Sequence, residues 1–398
     1  MAISNKKAWI VAVSMGYGHQ RAAYPLAGLA PNNQVINAND YPGIPENDRK
    51  IWERARSFYE LISRFYRVPI IGKIVFGIFD RFQAIQSFYP KRDLSKPTFQ
   101  LKQTYSLIQK GWGRDQVERL NKRQLPLIAT FFIPAFMAEF HGYKGDIYCL
   151  VADADVSRAW AALKPRNSRI KYFAPTQRVA ERLKLYGVRP GNIFYTGFPL
   201  PRASKNAFRA RMRNLGPASK KPRFLTLMFA VGGAGAQKEI AIQIAESLSE
   251  KIKAGKVGLI LSAGIRQGVK DYFVKELKQL GLEKQVKVLF EKEISPYFQK
   301  FNEALKTTDI LWTKPSELSF YSALGLPILI APPIGSQEEF NKSWLLKNGF
   351  GIEQGDPAKT DQWLFDWLAK GYFADCAEKG FAKGEKSGIS NITKICFG

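Results

Sequence analysis

Cysteine is scarce in this chain: three residues in 398, at positions 149, 376 and 396. Cys149, Cys376 and Cys396 have neither metal-ligand nor disulfide spacing, so no metal site is expected. An odd, small count in a chain of this size points to reduced thiols and a cytoplasmic setting. Long apolar runs are missing too. None approaches the roughly 20 residues that span a bilayer. The stretch Ala8 to Val13, after Lys6 and Lys7, is too short for a secretory core, and Gly16 and Gly18 follow without a small-residue cleavage site. It reads as a first β-strand. The third shortage is acidic side chains, 34 Asp+Glu against 60 Lys+Arg, for a net charge of +26. Such an excess favours polyanionic partners: nucleic acid, anionic lipid headgroups or phosphorylated substrates. A compositional bias with no partner behind it is the alternative. No RNA-recognition, zinc-finger or helix-turn-helix pattern is present, so specific nucleic-acid binding is not expected.

What is present is an α/β alternation in two halves. The length suits two domains of roughly 150–200 residues. Strands are expected at Ala8 to Ser14, Leu127 to Phe132, Ile147 to Ala152 and Ile170 to Ala174, with a helix over Val179 to Tyr186 closed by Gly187. After a basic stretch, Pro199 to Arg223, a fresh alternation begins. Its expected strands are Phe224 to Ala230, Val257 to Ser262, Val286 to Phe290, Ile310 to Thr313 and Pro327 to Ala331, with a helix over Lys238 to Ile252. Strands alternating with helices imply parallel sheets, with ligands at the carboxyl ends of the strands and a cleft between the domains. The expected division is an N-terminal Rossmann-like domain over 1–200, a basic linker over 201–223, a C-terminal Rossmann-like domain over 224–372, and a tail over 373–398 that packs back on the first domain. Residues 51–89 hold two amphipathic basic stretches, Ile51 to Tyr66 and Ile71 to Ile85, broken at Pro69. Helices of this kind either lie in an anionic membrane interface or bury their apolar faces in the domain core.

Three segments are suited to chemistry. Ser14 to Gln20 places Gly16 and Gly18 after the first strand, where glycine permits tight turning and close backbone approach. His19, one of only two histidines, ends that turn; it suits a general base or a phosphate ligand, or simply a helix cap. Gly232 to Gln237 repeats the strand–glycine turn–helix pattern in the second half, with Gly233 and Gly235 able to approach phosphate or to serve helix packing alone. Thr313 to Ser319 offers Pro315 as a first-turn helix residue and Ser316 and Ser319 as hydroxyls at a helix start favourable to a pyrophosphate. Gln337 and Glu338 follow a strand and a turn and can meet sugar hydroxyls.

Lys314-Pro315, Ala323 to Pro327 and Gln337 to Asn341 together resemble the donor region of glycosyltransferase family 28. That family includes monogalactosyldiacylglycerol synthases, processive diacylglycerol glucosyltransferases and the N-acetylglucosaminyltransferase of peptidoglycan lipid intermediates. Tyr172 to Pro199 resembles the end of the family's N-terminal domain, Gly16 to His19 its first glycine loop, and Asp153 an acidic position near the acceptor. The likeness runs in order across most of the chain and is loose over residues about 45–125. It implies a GT-B fold, transfer from a nucleotide-sugar, UDP-linked in the family, to a lipid or lipid-linked acceptor, no cofactor or protein-held metal, and a peripheral position on the inner face of the membrane. On this resemblance His19 or Asp153 is the base. Gly233, Gly235, Ser316 and Ser319 cradle phosphate, Arg266 and Lys314 meet the nucleotide, Glu317 holds the ribose, and Gln337 and Glu338 hold the sugar, with Ser336 and Asn341 in the same motif.

The departures fall in the same places. Ser316 and Glu317 stand where the family has a glycine pair. Ser322 stands at the acidic ribose position, Ser336 at a glycine and Phe340 at a second glycine. A histidine that often follows about the fifth strand of the N-terminal domain is Phe131 here. Three outcomes stay open on sequence: Glu317 takes over the ribose contact, the nucleotide differs, or catalysis is lost. A non-catalytic binding protein and a sugar-nucleotide epimerase of the same fold are the competing functions.

Overall fold

Strands such as Ile147-Tyr-Cys-Leu150 are apolar on both faces, the composition of a sheet covered by helices on two sides. The computed structural model describes residues 6–65, 85–216, 224–233 and 235–398. It contains two six-stranded, wholly parallel sheets. The first is built from β1 (Trp9–Ala12), β2 (Ile36–Asn37), β3 (Leu127–Ala129), β4 (Ile147–Leu150), β5 (Lys171–Ala174) and β6 (Ile193–Tyr195), in the order β2-β1-β3-β4-β5-β6. The second holds β7 (Leu225–Ala230), β8 (Val257–Gly264), β9 (Lys287–Phe290), β10 (Ile310–Thr313), β11 (Ile328–Ile330) and β12 (Gly351–Glu353), in the order β12-β11-β10-β7-β8-β9. Counted from its own first strand, the second sheet runs 3-2-1-4-5-6, the doubly wound dinucleotide-binding order. The architecture is of GT-B type, two Rossmann-like units each with its own apolar core.

The first unit comprises Met1–Leu200, Ile334–Phe340 and Ser387–Gly398; the second comprises Pro201–Pro333 and Asn341–Lys386. The stretch read as a linker, 201–223, holds a helix, Lys205–Leu215, capped by the Ser204 hydroxyl, which accepts from the Ala207 amide. Its basic composition hides an inward face: Phe208 stacks on Phe381 at 4.0 Å, and Arg211 is buried among the carbonyls of Leu305, Thr308, Leu324 and Gly325. The tail divides. The helix Tyr372–Lys383 belongs to the second unit, and the helix Gly388–Phe397 to the first, where the Asn391 amide donates to the Thr196 carbonyl.

The first amphipathic stretch forms a helix, Glu46–Phe65, that starts earlier than its apolar pattern because Glu46 and Asp48 favour a first turn. The second stretch, over 71–84, lies outside the described residues. Among the described residues no helix is long and apolar enough to cross a membrane.

Candidate functional site

In a doubly wound sheet the ligand crevice opens where the strand order reverses, outside the carboxyl ends of the two strands that flank the reversal. In the second unit those strands are β7 and β10. Their ends are level: Ala230 pairs with Thr313 on one side and with Ser262 of β8 on the other. Three loops therefore leave the sheet side by side. The first, Val231 to Gln237, carries Gly233 and Gly235. Gly235 has φ +69°, a backbone that favours glycine, and at Gly232 the Lys314 side chain lies against the bare Cα, where a Cβ would push its end aside. The second, after β8, carries Arg266, whose Nε donates to the Gly233 carbonyl at 2.7 Å and braces the glycine turn. The third, Lys314 to Ser316, leads into a 3₁₀ helix, Glu317–Leu324.

That helix departs from expectation in two ways. It begins at Glu317 with Ser316 as its cap, so Pro315 precedes the helix instead of opening it. It is also 3₁₀ along its whole eight residues, which is long for that form. Its apolar side chains Leu318, Phe320, Tyr321 and Ala323 are buried, so packing all round it, not amphipathic periodicity, sets its shape. Its first amides lack intrahelical carbonyls and face the anion-favouring end of the dipole. Glu317 is only 7% exposed there. Ser319 is fully buried and its Oγ makes no hydrogen bond. Ser322, at the family's acidic ribose position, spends its hydroxyl on the Ser319 carbonyl at 2.8 Å.

The loop after β11 is tied back to this edge. Gln237 Nε2 donates to the Pro332 carbonyl at 2.6 Å, and Asn341, fully buried, donates to the Pro315 carbonyl at 3.3 Å as a brace. Ser336, Gln337 and Glu338 open the helix Ser336–Asn348. The Glu338 carboxylate accepts from the Ile334 amide at 2.8 Å, which holds the turn before that helix. Gly233, Gly235, Arg266, Lys314, Ser316, Glu317 and Ser319 thus share one sheet edge. Gln237 was not singled out from sequence, and its left-handed backbone, φ 65°, left no sequence signal.

In the first unit the reversal lies between β1 and β3, with Val11 and Ala129 in register. Gly16, φ +125°, ends the turn after β1, and Gly18 and His19 lie in the short helix Tyr17–Ala23. The turn is pinned from three sides: the Ser14 amide donates to Asn39, and the Ser14 hydroxyl accepts from Gln20 and Asn37. His19 Nδ1 lies 2.8 Å from the Thr130 carbonyl, across the reversal. A carbonyl only accepts, so Nδ1 carries a proton, and in the neutral form of the ring the lone pair is on Nε2. Phe131 packs on the His19 ring at 4.6 Å, and Phe132 and Trp160 extend the aromatic wall. Phe131 follows β3, the third strand in chain order and not about the fifth, because the described residues between 38 and 126 form helices and turns and no sheet strand. Sequence reading missed this wall, although adjacent Phe131 and Phe132 after a strand were its visible trace. Asp153 sits half-buried in the loop after β4. Two residues on, Asp155 is buried and bonded to Arg178 and Arg182, a structural pair.

Residues 203–287 match a family described as "Domain of unknown function (DUF6938)". The processive diacylglycerol beta-glucosyltransferase of Bacillus subtilis is 23% identical over 365 residues, 88% of this chain and 83% of that protein. Monogalactosyldiacylglycerol synthase 1, chloroplastic, of Arabidopsis thaliana is 26% identical over 201 residues, 49% of this chain and 36% of that protein. Among solved structures, Acinetobacter baumannii MurG superposes with a TM-score of 0.47 at 13% identity, over 74% of this chain and 77% of that one. Across most of its length the chain is similar to glycosyltransferase family 28, at the low identity of a divergent member.

Proposed function

We propose that the chain is a glycosyltransferase that moves a sugar from a nucleotide-sugar donor to the hydroxyl of a lipid or lipid-linked acceptor, working peripherally at an anionic, cytoplasm-facing membrane surface. One observation carries the reading: the glycine turn after β7 and the Lys314–Ser316 turn leave the sheet side by side at its order reversal. Backbone amides and a helix start at that point suit a diphosphate. The curated relatives, named as diacylglycerol glucosyltransferases and a galactosyldiacylglycerol synthase, support the same class of transfer.

In this mechanism the acceptor oxygen attacks the anomeric carbon directly while the bond to the diphosphate breaks. His19 Nε2 takes the acceptor proton, with Asp153 the second candidate base. The departing charge falls to the amides of Gly233 and Gly235 and of the helix start at Glu317, with Ser316, Ser319, Lys314 and Arg266 around it. Glu317 takes the ribose diol, and Gln337 and Glu338 take sugar hydroxyls, with Ser336 and Asn341 supporting their turn.

The test is a donor screen. UDP- and GDP-sugars are offered with diacylglycerol and with total membrane lipid, and products are read by mass spectrometry. A glycolipid formed together with free nucleoside diphosphate supports the reading; no product from any donor defeats it. A second reading, nucleotide-sugar binding without transfer, draws on Glu317, a buried carboxylate beside the expected diphosphate. Calorimetry separates the two, since binding without turnover favours the second.

A further inference from the structure

Among the described residues only three that are not glycine hold a positive φ: Asn32, Asn33 and Gln237. Asparagine tolerates the left-handed region, because its short amide bonds to the local backbone. Glutamine does not share that advantage. Gln237 nevertheless adopts φ 65°, ψ 23° as the residue that caps the helix Lys238–Ser247, in the position where glycine is the unstrained choice. Strain of this kind persists where the surroundings hold it in place, and it clusters at functional sites.

The side chain supplies the holding contact. Gln237 Nε2 donates to the Pro332 carbonyl at 2.6 Å, across 95 residues of sequence. Proline has no amide of its own, so its carbonyl is the one backbone polar group it can offer to such a tie. Gln237 ends the glycine turn that carries Gly233 and Gly235. Pro332 opens the loop that leads to Gln337 and Glu338. We infer that Gln237 is a positioning residue for the donor: its amide latches the phosphate-side turn to the start of the sugar-side loop, and the left-handed backbone is the conformation that aims the amide there. The inference rests on the donor reading given above for what the latch serves, but the latch itself is a property of the ligand-free chain.

Two variants test it. Gln237→Gly removes the amide and relieves the backbone; Gln237→Glu keeps the length and the strain but replaces the donor with an acceptor that repels the Pro332 carbonyl. Hydrogen exchange is measured on the ligand-free protein over peptides covering 231–238 and 331–340, alongside melting temperature and nucleotide-sugar kinetics. The latch predicts faster exchange at 331–340 in both variants, with the melting temperature of Gln237→Gly unchanged or raised. It also predicts a donor KM about five- to tenfold higher, the size of one lost hydrogen bond, with kcat nearly constant. Unchanged exchange at 331–340 in both variants overturns the latch, whatever the protein binds. Faster exchange with an unchanged donor KM overturns the positioning role. Wild-type protein that neither binds nor turns over any nucleotide-sugar overturns the donor reading and, with it, the positioning role, while the exchange data still decide the latch.

Discussion

His19 illustrates how much a single residue's surroundings decide. The Thr130 carbonyl accepts from Nδ1 and Phe131 packs the ring, so the imidazole is held in one orientation. A positioned base contributes about 10²- to 10⁴-fold. His19→Ala is therefore expected to lower kcat of sugar transfer by a factor in that range with near-normal donor KM; equal turnover in the variant removes His19 from the mechanism. Asp48 gives a second residue-scale prediction, this time in stability. Burial pushes its carboxyl above the ordinary 3.8, with the Gly113 amide bond opposing. A carboxyl with a raised folded pKa binds more protons folded than unfolded, so the fold loses stability as pH rises through the window above 3.8. Asp48→Asn keeps an acceptor for the Gly113 amide and removes that loss. Its melting temperature is expected to match or exceed wild type at pH 7, with the difference vanishing as pH falls towards 3.8; a variant less stable at pH 7 than at pH 4, relative to wild type, contradicts this.

The elements differ in how far they could be read from sequence. β4, β7 and β10 are largely apolar runs, interrupted only by Thr226 and Thr313, and the sequence places each within two residues of its observed ends. β2, β6 and β12 have only two or three residues, and all three are sheet edges with little to bury, so no run announces them. The helix Lys205–Leu215 was masked by its basic composition: Phe208, Met212 and Leu215 repeat at helical spacing on its inward face, and buried Arg211 between them bonds four backbone carbonyls, a role its charge does not announce. The 3₁₀ helix Glu317–Leu324 is buried on nearly every side, its polar Glu317, Ser319 and Ser322 included, so no exposed polar face marks its period. At the edge of the second sheet, glycines and Lys314 were visible in sequence, and the carbonyls and the left-handed glutamine beside them were not. Packing of the 3₁₀ helix also makes an element-scale prediction. Gly380 lies mid-helix in Tyr372–Lys383, where alanine ordinarily stabilises by about 1 kcal/mol. Here a Cβ would run into the Ser322 carbonyl oxygen. Gly380→Ala is expected to destabilise the fold by about 1–3 kcal/mol, as overpacking does. Thermal or denaturant unfolding reads this directly, and a stabilised variant refutes the contact.

At the scale of the molecule, charge is the property that sequence states and the fold distributes. Residues 1–200 carry 30 Lys+Arg against 14 Asp+Glu, so most of the net +26 lies in that half. The same half holds the helix Glu46–Phe65, with Arg49, Lys50, Arg54, Arg56 and Arg64 along it. Lysine and arginine near an anionic leaflet contribute about 1 kcal/mol each, and the attraction fades beyond a Debye length, about 10 Å at 0.1 M salt and about 3 Å at 1 M. Net charge alone serves RNA as well as lipid, so the discriminating measurement needs both. The protein is sedimented with vesicles of phosphatidylcholine, with vesicles containing phosphatidylglycerol, and in parallel over immobilised RNA, at low and high salt. The membrane reading expects recovery with the anionic vesicles, little with phosphatidylcholine, and a residue of binding that survives high salt because aromatic and aliphatic side chains enter the interface. Binding to RNA and vesicles alike, all of it lost at high salt, identifies the charge as non-specific and leaves the acceptor to be sought among soluble molecules.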